Sequence, residues 1–227
     1  MGSMGQSGTG PGAIAPDGSP VEFFALFGAR DEPAIVHRAI PEGATVLELG
    51  SGAGRVAHGL VALGHSVVAV DESPEMLEHV RTEAVCARIE DLRLDRRFDA
   101  VLLGSFLLNS ADESLRRRFL DTCRIHLRPD GAVLICRAVP QPPSAVGPTE
   151  SGGAVITVAD VRRLRDDLVV ATIEYRMDGR TWRQEITNHE LDDARLVACL
   201  HEAGLEFDAF LTEDRTWVRA TLCQAGG

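Results

Sequence analysis

At 227 residues, 44% hydrophobic and 25% charged, the chain has the length of one full-sized α/β domain and the composition of a globular protein. Its 23 Lys and Arg against 34 Asp and Glu leave a net charge of −11, so a nucleic-acid backbone meets net repulsion. No apolar run approaches the ~20 residues of a membrane span, and membrane and nucleic acid are both set aside as partners. The one basic cluster, Arg116-Arg117-Arg118, falls in a helical pattern and reads as a solvated face. The five cysteines form no CxxC pair, and three of them sit in apolar runs, which suits a reducing, cytoplasmic setting.

Residues 1–20 are rich in Gly, Ser and Pro and lack the basic start and apolar core of a signal peptide, so they are expected to form a flexible tail ahead of a single domain over 21–227. Between Val21 and Ile40, the residues Phe23, Phe24, Leu26, Phe27, Ile35, Val36 and Ile40 recur at helical spacing. Gly28 and Pro33 divide them into two short helices. Val46 to Leu49 predicts a first strand, which ends on Gly50-Ser51-Gly52-Ala53-Gly54, and a helix follows. Val67 to Val70 predicts a second strand, closed by Asp71. Ser73 before Pro74 caps a helix reaching about Thr82. A third strand, Val85 to Ile89, leads into Glu90-Asp91-Leu92, and a fourth, Phe98 to Leu103, runs into Gly104 and on to Asn109. A helix from Asp112 to Leu127 and a turn at Arg128 to Gly131 precede a fifth strand, Ala132 to Arg137.

Beyond that point, Pro140 to Gly153 contains four prolines and three glycines and predicts a loop or lid. Leu168 to Met177 alternates as a strand does, Asp178-Gly179 suits a type I′ turn, and Arg180 to Asn188 returns as the partner. Asp192 to Ala203 has helical spacing and stops at Gly204. Leu205 to Leu211 and Thr216 to Leu222 are the last strands. The fold class is α/β, with an antiparallel hairpin inserted after the fifth strand.

The chemistry concentrates in Ala44 to Asp71. Glycines at a strand-to-helix turn adopt backbone angles that a Cβ disfavours and let a ligand lie against the main chain at the positive end of the helix. An acidic residue about twenty positions on, here Asp71, is where a nucleotide ribose is held. A dinucleotide fingerprint GxGxxG needs a small residue at position 55, and Arg55 stands there. The pattern is instead GxGxG with Glu48 two places before it.

This resembles motif I of the class I S-adenosylmethionine (SAM) dependent methyltransferases, and the ordered resemblance spans roughly residues 44–137. It implies a Rossmann-like sheet with helices on both faces and SAM as cofactor, with S-adenosylhomocysteine as product. The cofactor residues it implies are Glu48, Gly50, Ser51, Gly52, Gly54 and Arg55, then Asp71 and Glu72 after the second strand. After the third strand come Ile89, Glu90 and Asp91, where the family's usual aspartate falls on Arg88. Gly104 and Ser105 follow the fourth. The N-terminal helices, in that resemblance, fold over the cofactor.

In similar small-molecule methyltransferases the strands after the fifth cover the acceptor, so 139–190 is expected to be a lid. Phe23, Phe106, Trp182 and Gln184 are the acceptor-binding candidates. Ser105, Asn109 and His189 are the nearest polar candidates for catalysis; His58, His65, His79 and His126 fall away from the strand ends. Clustered carboxylates for a metal are not identifiable. Methyl transfer from a sulfonium has a good leaving group, so holding the acceptor in line can supply ~7–11 kcal/mol, with a base needed only for weakly acidic acceptors. The acceptor is expected to be a small molecule methylated on O, N, C or S, with specialised metabolites among the candidates, and the protein a monomer or homodimer. A non-catalytic SAM-binding module and an NAD(P)-dependent oxidoreductase are the alternatives.

Overall fold

The computed structural model describes residues 7–139 and 147–223. In chain order the elements are β1 (Ser7–Thr9), α1 (Val21–Leu26), α2 (Glu32–Ala39), β2 (Thr45–Leu49), α3 (Arg55–Ala62), β3 (Ser66–Asp71), α4 (Pro74–Leu77) and β4 (Glu83–Cys86). There follow β5 (Phe98–Leu103), α5 (Glu113–His126), β6 (Leu127–Cys136), β7 (Pro148–Ser151), β8 (Ala154–Arg165), β9 (Leu168–Met177), β10 (Arg180–His189), α6 (Asp193–Glu202), β11 (Leu205–Phe210) and β12 (Trp217–Leu222).

Seven strands form one sheet in the order β11-β12-β6-β5-β2-β3-β4. The run from β4 to β6 is parallel, and β12 and β11 add antiparallel at the far side. Period-two alternation sorts β2 between two cores. Leu47 and Leu49 face one that includes Leu120, Cys123 and Leu196 of α5 and α6, whereas Val46 faces another with Val36 of α2 and Leu60 of α3. Each fully buried Leu contributes roughly 1.5–3 kcal/mol, so both faces hold the strand. The strand order reverses between β2 and β5, and the loops after β2, β3, β4 and β5 gather at one end of the sheet.

The second sheet is larger than a hairpin: five antiparallel strands in the order β1-β10-β9-β8-β7. Asp178 and Gly179 both have positive φ, 49° and 74°, at the turn joining β9 to β10. Two expectations change here. Residues 7–20 are not a free tail: Ser7–Thr9 pairs with β10, where Ser7 faces Glu185, and the Trp182 indole N–H donates to the Pro11 carbonyl at 2.8 Å. The exposed edge of β10 needs partners for its backbone groups, and β1 supplies them. Within the expected Pro140–Gly153 loop, Pro148–Ser151 is a strand that turns at Gly152-Gly153 into β8; residues 140–146, like Met1 to Gln6, lie outside the described residues. Two elements are also shorter than expected. Helix α4 is a single turn, and Ile89–Asp91 is a 3₁₀ turn rather than the end of β4.

Candidate functional site

The glycine loop joins β2 to α3 with Gly50, Gly52 and Gly54 at φ of 70°, 55° and 81°. Two of these positions also lack room. A Cβ on Gly50 would stand 2.6 Å from Leu107 Cδ1, in the turn after β5, and one on Gly54 would stand 2.9 Å from His58 Nε2. The loop is tied to its neighbour strand by the Ser51 N–H, which donates to the Val70 carbonyl at 2.9 Å.

Asp71, the last residue of β3, accepts the Gly52 N–H at 2.8 Å on one carboxylate oxygen and the Ser73 N–H at 2.9 Å on the other. Burial raises its carboxyl above the ordinary value against the pull of those amides. Burial also raises Glu72 beside it, and there Arg88 opposes the shift. Glu48 of β2 shares the face of Val46 toward α3, and burial pushes its carboxyl up to about 8 despite the nearby Arg55. Among the described residues, Glu48 Oε2 and Ser51 Oγ are buried without a hydrogen-bond partner. Two orphaned buried polar atoms, one in the glycine loop and one in the strand that leads into it, fit a polar ligand lying against the loop.

Arg55 opens α3 and donates to Glu32 at 2.6 Å, with its guanidinium 5.7 Å from the Phe27 ring centroid. It therefore clamps α1 and α2 onto the loop. A cleft of about 520 Å³ runs beside this clamp, lined by Phe24, Phe27, Ala53, Arg55 and His58 among others. After β4, Ile89 is buried and Glu90 forms an ion pair with Arg88, leaving Asp91 exposed. After β5, the Gly104 carbonyl accepts the Leu107 N–H, and Ser105 and Phe106 are both left-handed at φ of 53° and 58°. Consecutive non-glycine residues in that region cost about 1–3 kcal/mol each and mark a turn whose shape matters. Ser105 is exposed and the Phe106 ring is 44% exposed at the strand ends.

Several expected acceptor-site residues are employed elsewhere. Asn109 is 0% exposed; its amide donates to the Ala138 and His189 carbonyls and its oxygen accepts the Ala138 N–H. These three bonds, two of them using both amide hydrogens, hold the buried side chain against the backbone and away from an acceptor. His189 is buried with Nε2 3.0 Å from Asp167, and burial lowers its pKa. It ties the end of β10 to the turn before β9. Phe23 and Trp182 sit in the aromatic core joining α1 to the second sheet: Phe23 stacks on Phe27 and lies 4.5 Å from Tyr175. Gln184 is buried too, accepting from the Tyr175 hydroxyl and donating to the Asp17 carbonyl and Ser19 Oγ. Of the acceptor candidates, Phe106 alone remains exposed at the strand ends.

Sequence reading missed the strap 11–20. Ala15 and Val21 pack on Ala53 of the loop and Met76 of α4. Asp17 accepts the Ser19 N–H at 2.9 Å, an Asx turn that the Asp17-Gly18-Ser19-Pro20 run announces. Among the described residues, no cluster of three or more His, Cys, Asp or Glu is arranged to hold a metal, and no helix is long and apolar enough to cross a membrane.

Parallel strands flanked by helices and the antiparallel β12–β11 pair make this a Rossmann-like fold, similar to that of a SAM-dependent methyltransferase from Clostridium acetobutylicum, with a TM-score of 0.65 at 16% identity over 89% of this chain and 92% of that one. Residues 46–131 match the family model described as a methyltransferase domain. The chain is 37% identical over 109 residues to a cypemycin N-terminal methyltransferase from a Streptomyces species, covering 44% of this chain and 43% of that protein. It is 31% identical over 98 residues to a ubiquinone biosynthesis O-methyltransferase from Nitrobacter winogradskyi, covering 39% of this chain and 36% of that one. These matches span less than half the length of either relative. The fold also resembles DesVI of Streptomyces venezuelae, with a TM-score of 0.69 at 17% identity over 88% of this chain and 96% of that one.

Proposed function

We propose that the chain binds SAM across the glycine loop and transfers its methyl group to a small molecule. The observation that carries this reading is the Asp71 carboxylate, held between the Gly52 and Ser73 amides at the mouth of a loop with orphaned buried polar atoms. When bound, SAM supplies an electrophilic methyl on a sulfonium that is already a good leaving group. The residues of the chain bind and orient. Asp71 receives the ribose hydroxyls, Gly50 to Gly54 admit the amino-acid end, and Glu90 and Asp91 flank the adenine. Ser105 and Phe106 face the acceptor, Ser105 through its hydroxyl and Phe106 through an exposed apolar ring.

With Asn109 committed to backbone bonds and His189 buried beside Asp167, transfer rests on proximity and suits an acceptor that is nucleophilic without a strong base. The relatives include an O-methyltransferase and a peptide N-terminal methyltransferase, so oxygen and nitrogen acceptors are the first to test. The second sheet closes over the acceptor in this reading, the protein works as a monomer or homodimer, and free cysteines suit a cytoplasmic location. The commitment of Asn109 to backbone bonds favours one second reading, a SAM-binding module without turnover. Calorimetry with SAM, followed by mass detection of methylated product across small amines and alcohols, tests both: binding without any product leaves the module.

A further inference from the structure

The strap from Pro11 to Pro20 is fastened on two sides. On one, Trp182 holds the Pro11 carbonyl and Gln184 holds the Asp17 carbonyl and the Ser19 hydroxyl, both from β10 of the second sheet. On the other, Ala15 and Val21 pack against Ala53 of the glycine loop and Met76, just past Asp71. Asp17 is thus suspended between the covering sheet and the cofactor loops. Its carboxylate is oriented by the Ser19 N–H at 2.9 Å and the Ser19 hydroxyl at 2.8 Å, and no basic side chain is paired with it among the described contacts. Its charge is felt by Asp71, Glu72 and the buried Tyr175 phenol, each held above its ordinary pKa chiefly by burial and further by Asp17. Where Ala15 of the strap packs on the glycine loop, Ser51 Oγ is buried and unpartnered, as is Glu48 Oε2 in the strand before it, and both fit a polar ligand.

The like charges on Asp17, Asp71 and Glu72 repel, with Arg88 offsetting that repulsion at Glu72, and a positively charged ligand relieves what remains. SAM carries one net positive charge through its sulfonium. On transfer the C–S bonding pair stays on sulfur, and the positive charge leaves with the methylated acceptor or as a proton. The product is a neutral thioether with no net charge.

We propose that Asp17 is a third carboxylate of the cofactor site, a positioning residue whose negative charge makes the site favour the cationic cofactor over its neutral product. The inference rests on the SAM reading above. It assigns the strap a role in exchanging product for fresh cofactor, since the electrostatic hold falls when the charge is gone.

The test is calorimetric titration of the full chain and its Asp17→Asn variant with SAM, S-adenosylhomocysteine and sinefungin, whose amine keeps a positive charge near the position of the sulfonium. Asn keeps an oxygen to accept the Ser19 N–H, removes the charge and puts an amide NH2 where the Ser19 hydroxyl donates, so thermal melting checks the fold. SAM and sinefungin should weaken by at least about threefold in Asp17→Asn while S-adenosylhomocysteine stays within about twofold, and Asp17→Glu should restore the ratio. An equal loss for all three ligands would make Asp17 merely a structural cap and overturn the proposal, as would three unchanged affinities. Failure of the unaltered chain to bind any of them would instead remove the SAM reading and this inference with it.

Discussion

Asn109 and Ala138 clasp each other in both directions: the Ala138 N–H donates to the Asn109 oxygen at 2.7 Å, and the Asn109 amide donates back to the Ala138 carbonyl at 3.0 Å. The same amide reaches the His189 carbonyl at 2.9 Å, so one buried side chain joins the turn after β5, the exit of β6 and the end of β10. Asn109→Ala strips partners from three backbone groups in a buried place, at about 1–3 kcal/mol for each left unsatisfied. The melting temperature should fall by several degrees or more, while turnover per folded molecule is kept. A variant of unchanged stability and abolished turnover would return Asn109 to the chemistry.

Asp71 has two tasks, and its replacement should reveal both. Asp71→Ala loses the ribose hydroxyl acceptors and also frees the Gly52 and Ser73 amides. At ~1.5–3 kcal/mol for hydrogen bonds to a charged group, SAM affinity should drop tenfold or more. Asp71→Asn retains one acceptor oxygen and should lie between. Calorimetry returning the original affinity for Asp71→Ala would place the ribose elsewhere.

Trp182 is 1% exposed, bonded through its indole to Pro11 and packed in the aromatic core beside Phe23 and Tyr175. Trp182→Ala should therefore destabilise by about 3–5 kcal/mol, read in urea unfolding, and should loosen the strap that the indole fastens. Trp182→Phe keeps most of the packing and loses the hydrogen bond, so its cost should be smaller. Full stability in Trp182→Ala together with a raised acceptor KM would put the indole in the acceptor pocket.

What was legible in the sequence follows the range of the forces involved. Strands β2, β3, β5 and β6 announce themselves because buried parallel strands are continuous apolar runs, and the glycine loop because its backbone angles and close contacts demand glycine. Asp71 was legible from its position after β3. The strap was not, since its hold on Trp182 comes from a residue 171 positions away, although the Asp17-Ser19 turn is local. Trp182, Gln184, Asn109 and His189 were read toward the acceptor because polarity in a sequence shows the capacity to bond and not the partner. In the fold Trp182 and Gln184 fasten the strap, Asn109 joins the turn after β5 to the exit of β6, and His189 reaches Asp167 within the second sheet.

Glu48 sets a pH signature. Its carboxyl, ordinarily near 4.5, is raised by burial to about 8, so the folded chain keeps this proton through a range in which the unfolded chain releases it. Because the native state binds more protons there, Glu48's contribution to stability is fully present below pH 4.5 and falls as pH rises toward 8. Glu48→Gln replaces the carboxyl with a neutral amide of similar shape and removes that titration. Urea unfolding of the ligand-free chain between pH 5 and 8 should therefore decline less steeply in Glu48→Gln, the difference growing with pH to on the order of a few kcal/mol at most. Parallel pH profiles for the two proteins would mean that Glu48 is ionised in the folded state, its charge met by Arg55 at the head of α3. In that event the orphaned Oε2 would be an anionic acceptor in the glycine loop, and SAM affinity should drop sharply in Glu48→Gln instead of following stability.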